Sequence, residues 1–225
     1  ITDFGDLQID FSQNQTQNYC MIGYLYLSFC KSLSVQTNDT LLNNLLVLQL
    51  CPQIFIDFLQ LKVDSRSIKP LFLSLKYVNN IKFLLIPGTE IEKIFSFLQP
   101  IIMNNSKCLT DLLIDGSTSL DNFGEFCHAV CTSSIRSIAF RRVNFPTTLL
   151  VNLFEKLPNS SLKKIKFYYC QLDQSVISYM HSNFQYFTKL AVIALNNCDL
   201  FKDKSVLELL FQFLMESKIS KIELV

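Results

Sequence analysis

From residue 81 onward one short apolar pattern keeps returning. It reads apolar, two variable positions, apolar, one variable position, apolar. Its copies are Ile81-x-x-Leu84-x-Ile86, Leu109-x-x-Leu112-x-Ile114, Ile135-x-x-Ile138-x-Phe140, Leu162-x-x-Ile165-x-Phe167, Leu190-x-x-Ile193-x-Leu195 and Ile219-x-x-Ile222-x-Leu224. The copies start at 81, 109, 135, 162, 190 and 219, so successive steps are 28, 26, 27, 28 and 29 residues. Chance apolar runs do not hold such a spacing, and a fixed period in this range marks stacked structural repeats. The alternating end of each copy predicts a short strand, with apolar side chains on one face and variable ones on the other.

Apolar stripes at helical spacing fill the gaps between copies. Leu149, Leu150, Leu153, Phe154 and Leu157 follow Pro146, which suits a first helical position. Val176, Ile177, Met180, Phe184 and Phe187 form a second stripe, and Val206, Leu210, Phe213 and Leu214 a third, with Asp203 placed to cap it. Each unit is therefore a strand, a corner and a return helix. Toward the N-terminus the pattern weakens to Ile56-x-x-Leu59-x-Leu61, Ile22-x-x-Leu25-x-Leu27-x-x-Cys30 and an irregular Phe4-x-x-Leu7-x-Ile9.

Two copies extend to Cys170-x-Leu172 and Cys198-x-Leu200, and others place Thr89, Ser117 or Val143 at the Cys position. This extended pattern resembles the ribonuclease-inhibitor-like class of leucine-rich repeats, closely over 81–225 and loosely over 20–80. The resemblance implies an α/β solenoid curved as a horseshoe. A parallel sheet would line its concave face and helices its convex face, with Cys at the corner bonded to backbone. Residues 1–225 are expected to form one such solenoid of about seven or eight repeats. The opening Ile1 and a strand-like end at Val225 suggest a piece of a longer chain.

Composition supports a large core, with 49% hydrophobic residues, 17% charged and 20 Phe. The apolar stretch from Leu45 to Leu61 is interrupted by Gln49, Pro52, Gln53, Asp57 and Gln60, so no membrane span is expected. Eight cysteines with no paired spacing suggest reduced thiols and a cytoplasmic or nuclear setting. Cys127-His128-x-x-Cys131 reads as helix core, too few ligands for a closed zinc site. The sequons at Asn14, Asn38, Asn104 and Asn159 are expected by chance in an Asn-rich chain.

Known catalytic patterns are missing. There is no phosphate loop, no GxSxG elbow and no HExxH, and the chain holds 2 His and 5 Gly. The reading is of a non-enzymatic protein without a cofactor, metal or small-molecule substrate. Net charge is +1, but its distribution is uneven. Residues 1–60 carry Asp3, Asp6, Asp10, Asp39 and Asp57 against Lys31. Residues 135–169 carry Arg136, Arg141, Arg142, Lys156, Lys163, Lys164 and Lys166 against Glu155.

The variable strand positions give a candidate protein-binding face. Tyr24, Tyr26, Phe58 and Phe83 make its aromatic half, and Arg136, Arg141, Arg142, Lys164, Lys166 and Tyr168 its basic half. Asp111 and Asp115 project from one strand, and Asp115 should pair with Arg141 in the next. Tyr and Arg are typical binding anchors. The expected role is a protein-interaction scaffold in an intracellular regulatory protein, its partner presenting an acidic segment to the basic half. The resemblance also admits an actin-regulatory protein similar to CARMIL or tropomodulin. It admits, too, a GTPase activator similar to the Ran-activating family, acting through Arg141 or Arg142. The basic patch separately admits nucleic acid or an anionic lipid surface.

Overall fold

A computed structural model describes residues 21–87, 94–116, 120–172, 174–198, 203–217 and 219–224. The match at Phe4, Leu7 and Ile9, together with Cys20, Asn14, Thr89, Ile91, Ser117 and Leu200, lies outside the described residues.

Seven strands form one sheet in sequence order, β1 (Ile54–Asp57), β2 (Ile81–Pro87), β3 (Asp111–Asp115), β4 (Ser137–Arg141), β5 (Lys164–Tyr168), β6 (Val192–Asn196) and β7 (Lys221–Leu224). Every neighbouring pair is parallel. Helices return the chain between strands: α3 (Ser65–Leu75), α4 (Ile94–Asn104), α5 (Phe123–Thr132), α6 (Thr147–Phe154), α7 (Gln174–Ser182) and α8 (Lys204–Ser217). Two further helices, α1 (Ile22–Ser32) and α2 (Asp39–Leu48), precede β1. The architecture is thus a repeated α/β unit whose parallel sheet is flanked by helices.

The register keeps the repeat positions aligned. Leu84, Leu112, Ile138, Ile165, Ile193 and Ile222 stand in one column of the sheet, and Ile86, Ile114, Phe140, Phe167, Leu195 and Leu224 span another. The columns from Leu84 to Ile193 and from Ile86 to Leu195 are buried, as are the residues that open the copies from 81 to 190. Period-two alternation forces this, because a slip by one would put every apolar side chain outside. Between sheet and helices Phe fills the space. Phe140 stacks on Phe167 at 5.9 Å and meets Phe145 edge-on at 4.8 Å. Phe95 packs on Phe126 at 4.8 Å, and Phe187 on Phe154 and Phe213 at 5.0 and 5.1 Å.

Both turns of the unit repeat chemically. Before a strand, Ser133 Oγ donates to the Val130 carbonyl at 2.8 Å and accepts from the Ile135 N–H. Ser160 does the same with Leu157 and Leu162. After a strand the chain enters the left-handed region at Gly116, Arg142, Tyr169 and Asn197, with φ of 81°, 54°, 53° and 52°. That kink ends each strand and redirects the chain toward its helix. At the next position Cys170 Sγ donates to the Phe140 and Tyr168 carbonyls, and Cys198 Sγ to those of Phe167 and Asn196. The corner role expected of these thiols is what the geometry shows.

Two N-terminal expectations are corrected. Residues 22–32 are helix, not strand. Ile22, Leu25, Tyr26 and Cys30 all bury at helical spacing, and of these Ile22, Leu25 and Cys30 also fit the strand pattern. The strand expected from Ile56 to Leu61 instead runs from Ile54 to Asp57. A register irregularity after Ile54 removes one residue from the unit, so Ile54, Ile56 and Phe58 face the core. Pro146 stands one residue before its helix rather than at the first helical position, and α7 ends before Phe184, which lies in a short 3-10 turn.

Candidate functional site

The variable positions of β2 to β7 form a sheet face opposite the helices. Three rows cross it at right angles to the strands. One row runs Phe55, Phe83, Asp111, Ser137, Lys164, Val192, Lys221. The middle row runs Asp57, Leu85, Leu113, Ala139, Lys166, Ala194, Glu223. The third runs Pro87, Asp115, Arg141, Tyr168, Asn196.

Of the ten expected site residues, seven gather here or on the rim. Phe83, Arg141, Lys164, Lys166 and Tyr168 lie on the strands themselves. Arg136 immediately precedes β4, and Arg142 immediately follows it. The other three do not. Tyr24 is exposed but sits on α1, away from any strand. Tyr26 is fully buried, its hydroxyl within 2.9 Å of Ser67 Oγ and accepting from the Asn38 N–H at 3.2 Å. Burial pushes the Tyr26 phenol up, against the pull of the Ser67 hydrogen bond. Phe58 belongs to the core, 5.4 Å from the Phe72 ring. The aromatic on the face is Phe55, 56% exposed and stacked on Phe83 at 6.4 Å. Alternation counted from Ile54 would have found it. Leu59 and Leu50, flanking β1, are exposed as well.

The ion pair expected between Asp115 and Arg141 is present across the two strands, and Arg142 joins it at closer range. Arg142 makes the close contact, donating Nε and Nη2 to the two carboxylate oxygens at 2.8 and 2.7 Å. Arg141 approaches the same carboxylate only to 3.6 Å. The left-handed corner swings the Arg142 side chain back over Asp115, which becomes a buried residue beneath two cations. On the far side Lys166 reaches across the small Ala194 to Glu223 at 3.6 Å, and Lys221 shares that carboxylate at 2.9 Å. The lysines beside Glu223, Lys221 first, hold its carboxyl below the usual range.

At the opposite end a polar network that the pattern did not reveal locks α1, α2 and α3 together. Asn38 caps α2 by accepting from the Leu41 N–H at 3.0 Å. Its amide donates to the Lys62 carbonyl and to Asp64, which caps α3 by accepting from the Ser67 N–H at 2.8 Å. Partial burial works upward on Asp64, but Ser67, Arg66 and Asn38 outweigh it and hold the carboxyl below the usual range. Asn or Asp three residues ahead of the bonded N–H was the available signal. Asn105 is a second unforeseen residue. Fully buried, it accepts from the Ile81 N–H at 2.8 Å and donates to the Val78 and Ile101 carbonyls.

An open hollow of about 410 Å³ lies beside the strand ends, lined by Leu120, Asn144, Phe145, Pro146, Gln171 and Leu172. Among the described residues, none of the expected site residues lines it and no titratable side chain stands in its walls, which offer apolar surface and amides. Cys127 and Cys131 are buried in the apolar core on α5, and burial raises both thiols, Cys131 to about 11. Among the described residues no group of three or more His, Cys, Asp or Glu is placed to hold a metal ion. Likewise, among them no helix is long and apolar enough to cross a membrane.

No protein-family model matches the chain, and comparison with curated proteins finds no match. What can be said of its function rests on the geometry of this face.

Proposed function

We propose that the chain is a leucine-rich-repeat-type solenoid serving as a protein-interaction scaffold, and that it binds through the sheet face opposite the helices. The observation that carries this reading is the apolar strip at the β1–β3 end of that face, where Phe55 is exposed and Phe83, Leu85 and Leu113 are half-buried. Phe55, stacked on Phe83, continues into Leu85 and Leu113 in the middle row. Neighbouring apolar groups left in water carry a free-energy penalty that a partner removes. The same face carries Arg141 and Tyr168, of the residue types that supply much of the energy at protein interfaces. The thiols of Cys30, Cys51, Cys108, Cys127, Cys131 and Cys170 form no disulfide, which accords with a reducing setting inside the cell.

Site-specific crosslinking in cell extract tests the reading. A photo-crosslinking residue at Phe83 should join one defined protein, and the same residue at Lys69, exposed on α3, should not. Phe55→Ser should abolish the product without changing the fold. Equal products from both positions, or none from Phe83, would refute the proposal.

A further inference from the structure

We infer that the β4–β6 part of this face is a trough for an extended, acidic segment of a protein partner. The inference rests on the docking reading above and goes further by naming the occupant's chemistry.

Shape comes first. In the middle row Ala139 and Ala194 are the smallest side chains, both on the outward side yet buried, and Lys166 stands between them as a cation on an otherwise low floor, reaching over Ala194 to Glu223. Arg136, Lys163 and Lys164 rise on one side, at the starts of β4 and β5. Arg141, Arg142 and Tyr168 rise on the other, at the strand ends. The walls stand about four residues of strand apart, roughly 13 Å. That width admits an extended chain with its side chains and is tight for a helix of about 10–12 Å diameter among long basic side chains.

Charge decides what fills it. From β3 to β7 the face and its rims carry seven bases, Arg136, Arg141, Arg142, Lys163, Lys164, Lys166 and Lys221. Three acids stand among them, Asp111, Asp115 and Glu223, leaving among the described residues an excess of four on a chain whose net charge is only +1. The ion pairs do not cancel this excess. Asp115 is shared by Arg141 and Arg142, and Glu223 by Lys166 and Lys221, so each cluster keeps one positive charge. The third acid, Asp111, accepts from Thr110 Oγ1 at 2.7 Å. Arg136 and Lys163 are held side by side, since the Lys163 N–H donates to the Arg136 carbonyl at 2.8 Å. Like charges so close repel, and carboxylates lying between the walls relieve that repulsion on both sides. The adjoining Leu113, Leu85 and Phe83 give the same segment an apolar anchor, which favours a peptide over a polyanion without apolar side chains.

The test uses a fluorescein-labelled dodecapeptide of alternating Glu and Ser, with a Gln-for-Glu version as control, read by anisotropy. The Glu peptide should bind, should weaken as salt rises, and should exceed the Gln peptide by at least about tenfold. Arg136→Glu/Lys164→Glu should cut its affinity about tenfold or more, whereas Lys31→Glu/Lys69→Glu, the same charge change on exposed helix positions, should stay within about twofold. Equal binding of both peptides, equal loss in both variants, or no binding would overturn the inference. So would tighter binding of a single-stranded oligonucleotide or of phosphatidylserine vesicles than of the Glu peptide. If the peptides fail while a crosslinker at Phe83 still captures its protein, only the acidic occupant falls. If both fail, the docking face falls with it.

Discussion

Replacing Arg142 with Ala and with Gly separates two opposing effects at one residue. Its backbone has φ 54°, a region that costs an L-residue about 1–2 kcal/mol and that Gly enters freely. Its guanidinium holds Asp115 through bonds of 2.8 and 2.7 Å. The Asp115 side chain is 5% exposed but that of Arg142 is 55% exposed, so water screens one partner. The pair should therefore contribute about 1.5 kcal/mol, between the roughly 0–1 of an exposed pair and the 3–5 lost on breaking a buried one. Arg142→Ala loses the pair and keeps the left-handed backbone, a destabilisation of about 1.5 kcal/mol. Arg142→Gly loses the pair but relieves the backbone, and after the looser unfolded chain is counted it recovers about 1 kcal/mol. For a chain of this size each kcal/mol moves Tm by about 2–4 °C. Thermal unfolding followed by circular dichroism should show the Ala variant about 3–6 °C below wild type and the Gly variant within about 2 °C. Equal Tm for the two variants would refute the claim of a strained corner. An Ala variant as stable as wild type would refute the claim that the Asp115 clamp is structural.

Three further outcomes are expected. Asn105→Ala leaves the buried Ile81 N–H without its acceptor, and urea unfolding should show a loss of about 2 kcal/mol; a change under about 0.5 kcal/mol would contradict the role assigned to it. Burial raises the Cys127, Cys131 and Cys170 thiols, the latter two to about 11. Iodoacetamide at neutral pH, read by mass spectrometry, should therefore leave these three unmodified until urea is added, and rapid native labelling would contradict the packing. The folded Asp64 carboxyl titrates below its ordinary value. Its contribution to stability is complete above about pH 4 and is lost as pH falls through the lower folded value. Asp64→Asn, which still caps α3, should flatten the fall in Tm between about pH 4 and pH 2; an unchanged slope would show that other carboxylates control it.

Much of this was legible in the chain, and the failures are specific. The copies from Ile81 to Leu224 placed β2 to β7 correctly, because a strand with one buried face admits a single register. Asp203 accepts from the Ser205 N–H at the start of α8, as its position before an apolar stripe suggested. Ile22, Leu25 and Cys30, by contrast, satisfy strand and helix spacing at once, and packing against α3 decided for helix. Phe58 was misplaced because β1 lacks one residue of the unit, which changes every later position in that strand. Arg141 pairs with Asp115 as its register requires, but nothing in the spacing says that the adjacent Arg142 makes the closer contact.

By itself the sequence determined the repeat length, the strand registers from β2 to β7, the alternation of strand and helix, and the two thiol corners. Those features depend on local periodicity and on side chains that act on their own backbone. Only the tertiary structure decided that Phe55, not Phe58, faces water, that Tyr26 is core, and that two carboxylates are each shared by two cations. Only it showed, too, that Ala139 and Ala194 lie buried on either side of Lys166. These depend on which side chains from different repeats meet in space, and a one-residue shift or one left-handed residue changes that meeting without changing the pattern.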